Sequence, residues 1–376
     1  MRIAFVISHT PFYGANQSLL CMIEGLQEYG VESYVMVPGQ GSVVEALAEK
    51  NIPYRILPFK RWMSRNRWKA PARLGMNVAL LPLFVRQFKK WDIDLVYSND
   101  SEVVMGAFAA RVLGLPHVWH IREMADSALG LSYDWGRSFF EKWLRQANAV
   151  VAVSQAVLDK YIGRINPNTY VIHDSIMNTE AMRKLKIETR NELRQRKDID
   201  CIFAVVGRVQ PLKAQEQAIR AIHKVKEHGY RVRLLIAGEG ETVYTEYLLQ
   251  LCNNLGLQQT VSFLGHVSEP LEIYKSADVT LMCSKGDAFP RVVLESMIIG
   301  RPVIGNARGG ILEQIEPGTT GLLYNDSVNE LVNCMEYLIK NPEKAREMGL
   351  RGQEFARQFT NEKYAGAIYE VLQTIT

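Results

Sequence analysis

The stretch CSKGDAFPRVVLESM, residues 283–297, decides the fold, and it follows the apolar run Val279–Met282. Proline is favoured at the first position of a helix, so we predict a helix that begins near Pro290. A strand, a loop and a helix in this order form the repeating unit of a parallel α/β sheet. Asp287 in the loop and Glu295 on the second helical turn stand eight positions apart. The helix N-terminus between these two acids offers N–H groups to an anion.

The same alternation of short apolar runs and amphipathic segments continues along most of the chain. It predicts parallel sheets that are covered by helices on both faces. The predicted strands are Ile3–Ser8, Ser33–Val37, Tyr54–Leu57, Leu95–Ser98, His117–His120, Ala149–Val153, Thr169–Ile172, Cys201–Val206, Arg233–Ala237, Val261–Leu264, Val279–Met282 and Pro302–Gly305. The helices predicted between them include Asn16–Tyr29, Glu102–Leu113, Gln215–His228 and Arg291–Ile299.

A polar segment without a strand pattern, residues 174–199, interrupts this alternation. The chain has 376 residues, which is more than one core usually supports. We therefore predict two Rossmann-like, doubly wound α/β domains, 1–173 and 195–355, with a linker over 174–194. A C-terminal helix over 356–376 is placed to cross back to the first domain. Because ligands of open α/β sheets bind at the carboxyl ends of the strands, we expect a cleft where those ends of the two domains face each other.

Composition narrows the class of protein. The five cysteines are scattered and form no CxxC pair, so neither a thiolate zinc site nor a disulfide framework is indicated. The N-terminal MRIAFVISHT has too short an apolar run for a signal peptide and is typical of a first strand. We expect a cytoplasmic protein, with a peripheral position on the inner face of the cell membrane as a further expectation.

Two loops that follow predicted strands carry residues suited to a phosphate. Gly14, after the first strand, allows the backbone to approach a ligand, and Asn16 is placed to cap the next helix. Arg208 and Lys213 stand five apart after the strand Cys201–Val206. A guanidinium fork and an ammonium group at a helix start are the donors that a diphosphate needs.

Two further glycine loops, 238–241 and 309–310, follow later strands. Each glycine by itself is better explained by a tight turn, so only the joint pattern favours phosphate binding. No Walker lysine follows a GxxxxG and no GxGxxG follows the first strand, so neither a P-loop nor a dinucleotide fingerprint is indicated.

Together these motifs resemble the family-four (group 1) retaining glycosyltransferases of the GT-B fold. The resemblance covers nearly the whole chain and is strongest from Gly207 to Gly321. The family's E-x7-E motif corresponds to Asp287 and Glu295, its R-x4-K clamp to Arg208 and Lys213, and its first glycine loop to residues 13–16. Residues 309–313 and 318–323 match the family as well. Asp287 departs from the family's glutamate and shortens the reach of that carboxylate by one methylene.

The resemblance implies an enzyme that moves a sugar from a nucleotide-sugar to a hydroxyl of a glycan or lipid-linked acceptor, with retained anomeric configuration. UDP is favoured over GDP, and bacterial surface polysaccharide synthesis is the expected setting. Lys213 and Arg208 would stabilise the leaving diphosphate, Glu295 would bind the ribose and Asp287 the donor sugar. Neither a metal ion nor a cofactor other than the donor is expected. The two DxD triplets, 92–94 and 198–200, precede strands and are expected to be surface features.

Further site residues follow from the same reasoning. His120 ends a predicted strand, where it would face the cleft and contact the donor sugar or the acceptor, although a satisfied core histidine is the alternative. The resemblance places the loop with His266 and Val267 near the nucleobase. The remaining predicted donor-binding residues are Gly238, Phe289, Pro290, Arg291 and Val292.

The stretch from Lys60 to Lys90 contains nine basic residues and no acid, together with several aromatic residues. Part of it, 73–91, is predicted as an amphipathic helix. Such a segment suits an anionic membrane surface. A solvated basic face is the alternative, and nucleic acid is the least favoured partner because no nucleic-acid-binding fold is visible.

Other classes of protein share this architecture. A nucleotide-sugar epimerase and a non-enzymatic two-domain ligand-binding protein both remain open at this stage. A glycan phosphorylase is less favoured, because neither a cofactor lysine nor a separate phosphate site is visible.

Overall fold

The computed structural model of the chain describes residues 1–124, 130–163, 165–185 and 198–376. It divides into two compact units, Met1–Thr179 with Phe359–Thr376, and Glu180–Gln358. Of the linker predicted over 174–194, residues 186–194 lie outside the described residues.

The first unit is built on a seven-stranded, wholly parallel sheet in the order β3-β2-β1-β5-β6-β8-β9. Two short strands, β4 and β7, form a separate antiparallel ribbon. The strands are β1 Arg2–Val6, β2 Glu32–Val37, β3 Tyr54–Ile56, β4 Met63–Ser64, β5 Leu95–Ser98, β6 His117–Ile121, β7 Ser132–Tyr133, β8 Ala149–Ala152 and β9 Thr169–Val171.

Helices of the first unit connect these strands. They are α1 Gly14–Gln27, α2 Ser42–Glu49, α3 Ala70–Trp91, α4 Met105–Leu113, α5 Arg137–Gln146 and α6 Gln155–Val157. Helix α7, Thr179–Lys184, begins at the last residue of this unit, and its other residues belong to the second unit. A 3₁₀ turn, Arg67–Lys69, precedes α3, and a π-helical turn, Leu158–Ile162, continues α6. The inner strands β5 and β8 are buried along their whole length, as expected of a parallel sheet that is covered on both faces.

The last helix of the chain, α14 Asn361–Gln373, packs on α1 in the first unit. Gly25 permits this contact, because a Cβ at that position would lie 2.4 Å from the Cβ of Ala365. Tyr364 on α14 accepts a hydrogen bond of 2.6 Å from the buried Arg122 guanidinium, which also pairs with Asp174. The C-terminal helix therefore completes the core of the first unit.

The second unit has a six-stranded parallel sheet in the order β12-β11-β10-β13-β14-β15. Its strands are β10 Cys201–Val206, β11 Val232–Ala237, β12 Val261–Gly265, β13 Val279–Met282, β14 Val303–Asn306 and β15 Gly321–Tyr324. Its helices are α8 Gln215–Glu227, α9 Thr242–Asn254, α10 Pro270–Ser276, α11 Arg291–Ile298, α12 Val328–Lys340 and α13 Pro342–Ala356, with 3₁₀ turns at Pro211–Lys213 and Gly309–Glu313.

The structure confirms the predicted α/β class with two doubly wound sheets. The predicted strands are present with shifts of a residue or two at their ends. Strand β15 and the β4–β7 ribbon were not predicted. The ribbon strands have two residues each, which is too short to show a strand period. In the described part of the chain, no helix has both the length and the hydrophobicity to cross a bilayer.

Candidate active site

Four loops of the second unit follow β10, β11, β13 and β14, which are neighbours in the sheet. Since these strands are parallel, their carboxyl ends lie at one edge of the sheet and bring the four loops together. Backbone hydrogen bonds link the first two loops, from Val209 N to Glu239 O at 2.8 Å and from Glu241 N to Val209 O at 3.1 Å. Loops that were predicted separately from the sequence thus form one surface.

Glycines allow the backbones of these loops to approach each other. A Cβ on Gly240 would lie 1.9 Å from the carbonyl oxygen of Val209, and one on Gly310 would lie 1.8 Å from that of Ala288. Gly238 has a φ of 140°, which L-residues rarely adopt. No side chain fits at these positions without moving a loop.

Lys213 and Asp287 lie together at this edge. The Lys213 ammonium donates to both carboxylate oxygens of Asp287 at 2.8 Å, and each side chain is about a fifth exposed, at 22% and 19%. Lys285 N donates to Leu212 O at 2.9 Å, which ties the two loops beside the ion pair. The sequence predicted both residues as site residues and assigned one to the diphosphate and the other to the sugar, but it did not predict that they pair.

Glu295 lies on α11 and is held by two neighbours. Its carboxylate accepts from the Tyr274 hydroxyl at 3.1 Å and from Nε of Arg291 at 3.3 Å. Burial, and then the charge of Glu295, raise the pKa of Tyr274 well above its ordinary value, so this phenol stays a hydrogen-bond donor. Sequence reasoning missed Tyr274, since a buried tyrosine on a short helix gives no pattern of its own.

The other predicted residues of this unit surround the two acids. Pro290 caps α11 and is buried together with Phe289, whereas Val292 is half-buried. Arg208 is exposed after β10, and its carbonyl accepts from the Gln215 amide at 2.9 Å. Gly238 is half-buried in the loop after β11, and the loop after β12 places His266 in solvent beside the half-buried Val267.

The predicted cap at the start of α1 is wrong. Tyr13 is the N-cap residue, Gly14 is the first residue of the helix, and Asn16 lies within its first turn. The buried Asn16 amide instead donates to the carbonyls of His9 at 3.1 Å and Pro11 at 2.8 Å. Asn16 therefore fixes the loop that follows β1, because its side chain binds the preceding backbone rather than the free N–H groups of the helix.

His120 is fully buried on β6 rather than open at the edge of the sheet. Its Nδ1 lies 2.9 Å from the Tyr97 hydroxyl. Burial, and then the charge of Arg122, lower the pKa of His120 well below its ordinary value. The imidazole is therefore neutral at physiological pH. The position matches the core histidine that the sequence left as the alternative in its burial, but Nε2 of His120 has no hydrogen-bond partner among the described residues, so the ring is only half satisfied.

Three carboxyl groups cluster near the carboxyl ends of β5 and β6. Glu102 accepts from Arg61 at 2.6 Å, and His9 lies 3.5 Å from its other oxygen. Glu123 accepts from the Ser101 hydroxyl at 2.6 Å, while burial and the charges of Asp100 and Glu102 raise its pKa well above the ordinary value. The sequence singled out Glu123 and His9 as weaker candidates, but it did not predict that they meet Asp100 and Glu102, because these residues come from separate segments of the chain.

Neither DxD triplet belongs to the loops at the edge of the second sheet or to the carboxyl cluster of the first unit. Asp94 accepts from the backbone N of Arg2 at 2.7 Å, and Asp200 pairs with Arg231 at 2.7 Å. Among the residues that the structure describes, no three His, Cys, Asp or Glu side chains are grouped so that they could hold a metal ion.

Comparison with known proteins agrees with this arrangement. Residues 12–176 match the model described as Glycosyltransferase Family 4, and residues 187–355 match the model described as Glycosyl transferases group 1. Anabaena HepE in complex with UDP-glucose has a similar structure, with a TM-score of 0.83 at 23% identity over 100% of both chains.

Two curated relatives match part of their length. Trehalose synthase of Pyrococcus horikoshii is 29% identical over 69% of this chain and 64% of its own length. N-acetyl-alpha-D-glucosaminyl L-malate synthase of Bacillus anthracis is 28% identical over 61% of each chain. The chain thus spans less than two thirds of the length of these relatives.

Two doubly wound units, with glycine loops and paired cationic and acidic residues at the edge of the second sheet, define a protein of the GT-B fold class. Since the two family models together match most of its length, the chain belongs to the group 1, or family-four, glycosyltransferases.

Proposed function

We propose that the chain is a glycosyltransferase that takes a sugar from a nucleotide-sugar and retains its anomeric configuration. The donor is a UDP-sugar in preference to a GDP-sugar, and the acceptor is a hydroxyl of a glycan or lipid-linked sugar, in the synthesis of a bacterial surface polysaccharide. The proposal includes neither a metal ion nor a cofactor other than the donor. The HepE complex with UDP-glucose supports UDP as the first donor to test.

The observation that carries this proposal is the pair of Lys213 and Asp287 beside the N-terminus of α11. An ammonium group, the Arg208 guanidinium on the same loop and the N–H groups of a helix start are suited to the two negative charges of a diphosphate. Glu295 on the same helix offers carboxylate oxygens to a ribose diol, and its neighbours Tyr274 and Arg291 fix their direction.

In the proposed reaction, the bond between the anomeric carbon and the diphosphate oxygen breaks, and its electron pair leaves with the diphosphate. The acceptor hydroxyl forms the new bond on the same face, and its proton passes to the departing diphosphate oxygen. Lys213 and Arg208 lower the barrier because they stabilise the charge that develops on the leaving group. His120 serves as a neutral, buried support for this end of the first sheet, and Gly14 and Asn16 shape its first loop.

We also propose a peripheral position on the inner face of the cell membrane, through α3. Its outward face carries four apolar residues, followed by two basic ones, at a spacing of three or four: Ala72, Met76, Ala79, Leu83, Arg86 and Lys90. All six are exposed, while Phe84 and Phe88 are buried on the opposite face. An apolar stripe with flanking positive charge fits the boundary of an anionic bilayer.

The test is a panel of UDP- and GDP-sugars, incubated with the protein and without an acceptor. We expect slow release of the nucleoside diphosphate from at least one UDP-sugar, and its loss in the Lys213→Ala variant. An epimerase would convert the sugar without releasing UDP, and a binding protein would bind the donor without any turnover. Either outcome would refute the proposed transfer.

A further inference from the structure

Two buried glutamines of the second unit, Gln215 and Gln314, share one hydrogen-bonding state. Neither residue is more than 1% exposed. In each of them the amide N–H group has a partner, whereas the carbonyl oxygen Oε1 has none among the residues that the structure describes. A buried polar atom without a partner lowers the stability of a fold, so two of them beside one site indicate a role other than stability.

Gln314 holds the loop that leads into α11. It follows β14, and its Nε2 donates to the carbonyl of Pro290, the N-cap residue of α11, at 3.1 Å. From the same loop after β14, Gly310 N donates to Asp287 O at 3.0 Å. The segment 287–290 is therefore bonded at both of its ends to the loop after β14.

Both acids of the candidate site depend on this attachment. Asp287 is the first residue of the bonded segment, and Glu295 lies on the helix that begins where the segment ends. Movement of Pro290 would shift the start of α11 and change the direction of the Glu295 carboxylate. A displacement of about 1 Å at a reacting centre is enough to lower a rate by about 100-fold. Gln314 is thus placed to act on both acids through the backbone that carries them.

Gln215 holds the loop that carries the two cations of the site. It is the first residue of α8, and its Nε2 donates to the carbonyl of Arg208 at 2.9 Å. Lys213 lies between these two residues in the sequence, so the bond closes the loop 208–215 around it. Ala214 in this loop has a φ of 51°, a left-handed conformation that favours glycine. Such a conformation persists only where the surrounding structure fixes it, and the bond from Gln215 is one such attachment.

An amide is a suitable donor here because it carries no charge. The loop carbonyls of Arg208 and Pro290 accept N–H groups, and a lysine or arginine in either place would supply these groups together with a positive charge. That charge would add to the field around the pair of Lys213 and Asp287. A neutral donor fixes the backbone and leaves the electrostatics of the site to the charged residues.

We propose that Gln215 and Gln314 are positioning residues of the donor site, which fix its two loops through backbone carbonyls. Gln215 positions the cations that face the diphosphate, and Gln314 positions the acids that face the sugar and the ribose. The unpartnered oxygens follow from this arrangement, since each amide is turned so that its N–H group faces the loop. The assignment rests on the proposed function, because it concerns the binding of that donor.

The test replaces each glutamine by methionine, which has a similar volume and no N–H group. Titration calorimetry measures the affinities for UDP and uridine, and steady-state assays with a UDP-sugar measure kcat and KM. We expect Gln215→Met to lower the affinity for UDP by about 3–10-fold, as the loss of one hydrogen bond predicts, and to leave the affinity for uridine unchanged. Gln314→Met should lower both affinities, because Glu295 is displaced, and should lower kcat by about 10–100-fold.

Gln353 is the matched control at the other end of α11. It is buried on α13, and its Nε2 donates to the carbonyl of Ile298, the last residue of α11, at 2.8 Å. Gln353→Met removes the same kind of bond from the same helix, and it should lower the melting temperature without changing kcat or either affinity. Gln314→Met should lower the melting temperature less, because it also removes an unpartnered buried oxygen.

Glutamine variants that bind both ligands and turn over like Gln353→Met would overturn the assignment. Losses of affinity and kcat that follow the melting temperature across the three variants would also overturn it, because the role would then be one of stability alone. Gln314→Leu repeats the change with a second apolar side chain and keeps the test decisive if Gln314→Met does not fold. An unaltered protein that binds neither UDP nor GDP would refute the proposed function and this assignment together, whereas a failure in the variants alone refutes only the assignment.

Discussion

Lys213 donates to both carboxylate oxygens of Asp287 at 2.8 Å, and the two residues come from loops that are 74 positions apart in the chain. The pair lies where the proposed leaving diphosphate would bind. Asp287 is the residue at which this chain departs from the family's glutamate. We propose that the shorter carboxylate, besides contacting the donor sugar, holds the ammonium of Lys213 in place before the donor arrives.

The first prediction concerns Lys213 itself. Lys213→Ala should lower the turnover number by about 100–1000-fold, because it removes a donor that stabilises charge on the leaving group. Steady-state assays with a saturating donor measure this change. Lys226→Ala, which removes an exposed lysine on α8 that bonds only a carbonyl, should leave turnover unchanged. Near-normal turnover in Lys213→Ala would exclude this residue from the site.

The second prediction concerns the charge and the length of the Asp287 side chain. Asp287→Asn keeps the size of the side chain and removes its charge, so turnover should fall by about 10–100-fold as the ion pair with Lys213 is lost. Asp287→Glu restores the charge and should recover most of this loss with a changed preference among donor sugars. Comparison of turnover and KM for each donor checks both. If Asp287→Asn and Asp287→Glu behaved alike, the charge would have no part in the reaction.

The close approach of two loops supplies a third prediction. Gly310→Ala should weaken donor binding and lower the thermal stability, since its Cβ would meet the carbonyl oxygen of Ala288 at 1.8 Å. Gly75→Ala is the control, because an added Cβ there meets no atom within 4 Å. Thermal denaturation with and without UDP measures both effects. A Gly310→Ala protein with unchanged melting temperature and donor affinity would contradict the described packing.

His9 leads to a prediction about pH. Burial alone would lower its pKa, but the hydrogen bond and charge of Glu102, with the charge of Asp100, raise it above the ordinary value of 6.5. A raised pKa in the folded state means that protonated His9 stabilises the fold below about pH 6.5 and that this contribution is lost as the pH rises through the folded pKa.

Urea denaturation at pH 5.5 and pH 9 tests this sign. His9→Gln should lower the free energy of unfolding more at pH 5.5 than at pH 9, and the difference should shrink in a Glu102→Gln background. An equal effect at both pH values would show that protonation of His9 is not linked to folding.

The last prediction concerns contact between α3 and a membrane. Met76→Ser with Leu83→Ser should reduce the fraction of protein that floats with anionic vesicles, because it removes apolar area from the exposed stripe. Replacing Arg65, Arg67 and Lys69 by Gln should reduce flotation as well and make it less sensitive to salt. Val112→Ser, an exposed apolar residue on α4, is the control. Unchanged flotation in both variants would remove α3 from any membrane contact.

The sequence predicted the sheets and brought the proposed donor-side residues into view, because the signals for both are local. Strand and helix periods gave the α/β class, and Arg208, Lys213, Asp287 and Glu295 lie in short motifs with fixed spacing. Pairing across the fold was not predictable in this way. The contact of Lys213 with Asp287 depends on how two loops meet, and no periodicity in either segment reports it.

In the first unit, even less of the pairing between distant residues was predictable from the sequence. His120 was placed at the end of a strand correctly, but its burial depends on Tyr97 and on the last helix of the chain, which is more than 200 positions away. The Arg61–Glu102 pair joins two distant segments of the chain. In the sequence, the basic residues of the first segment form only a charged stretch, and tertiary packing selects Arg61 among the nine to pair with the buried Glu102.

The central claim is that the edge of the second sheet binds a nucleoside diphosphate through Lys213 and its ribose through Glu295. Titration calorimetry with UDP and with uridine, on the unaltered protein, Lys213→Ala and Glu295→Gln, tests it most directly. We predict that Lys213→Ala lowers the affinity for UDP by about 10–100-fold and leaves the affinity for uridine almost unchanged. Glu295→Gln should lower the affinity for both ligands by a similar factor. The claim would be contradicted if the unaltered protein bound UDP and uridine with equal affinity. It would also be contradicted if Lys213→Ala left the ratio of the two affinities as it is in the unaltered protein.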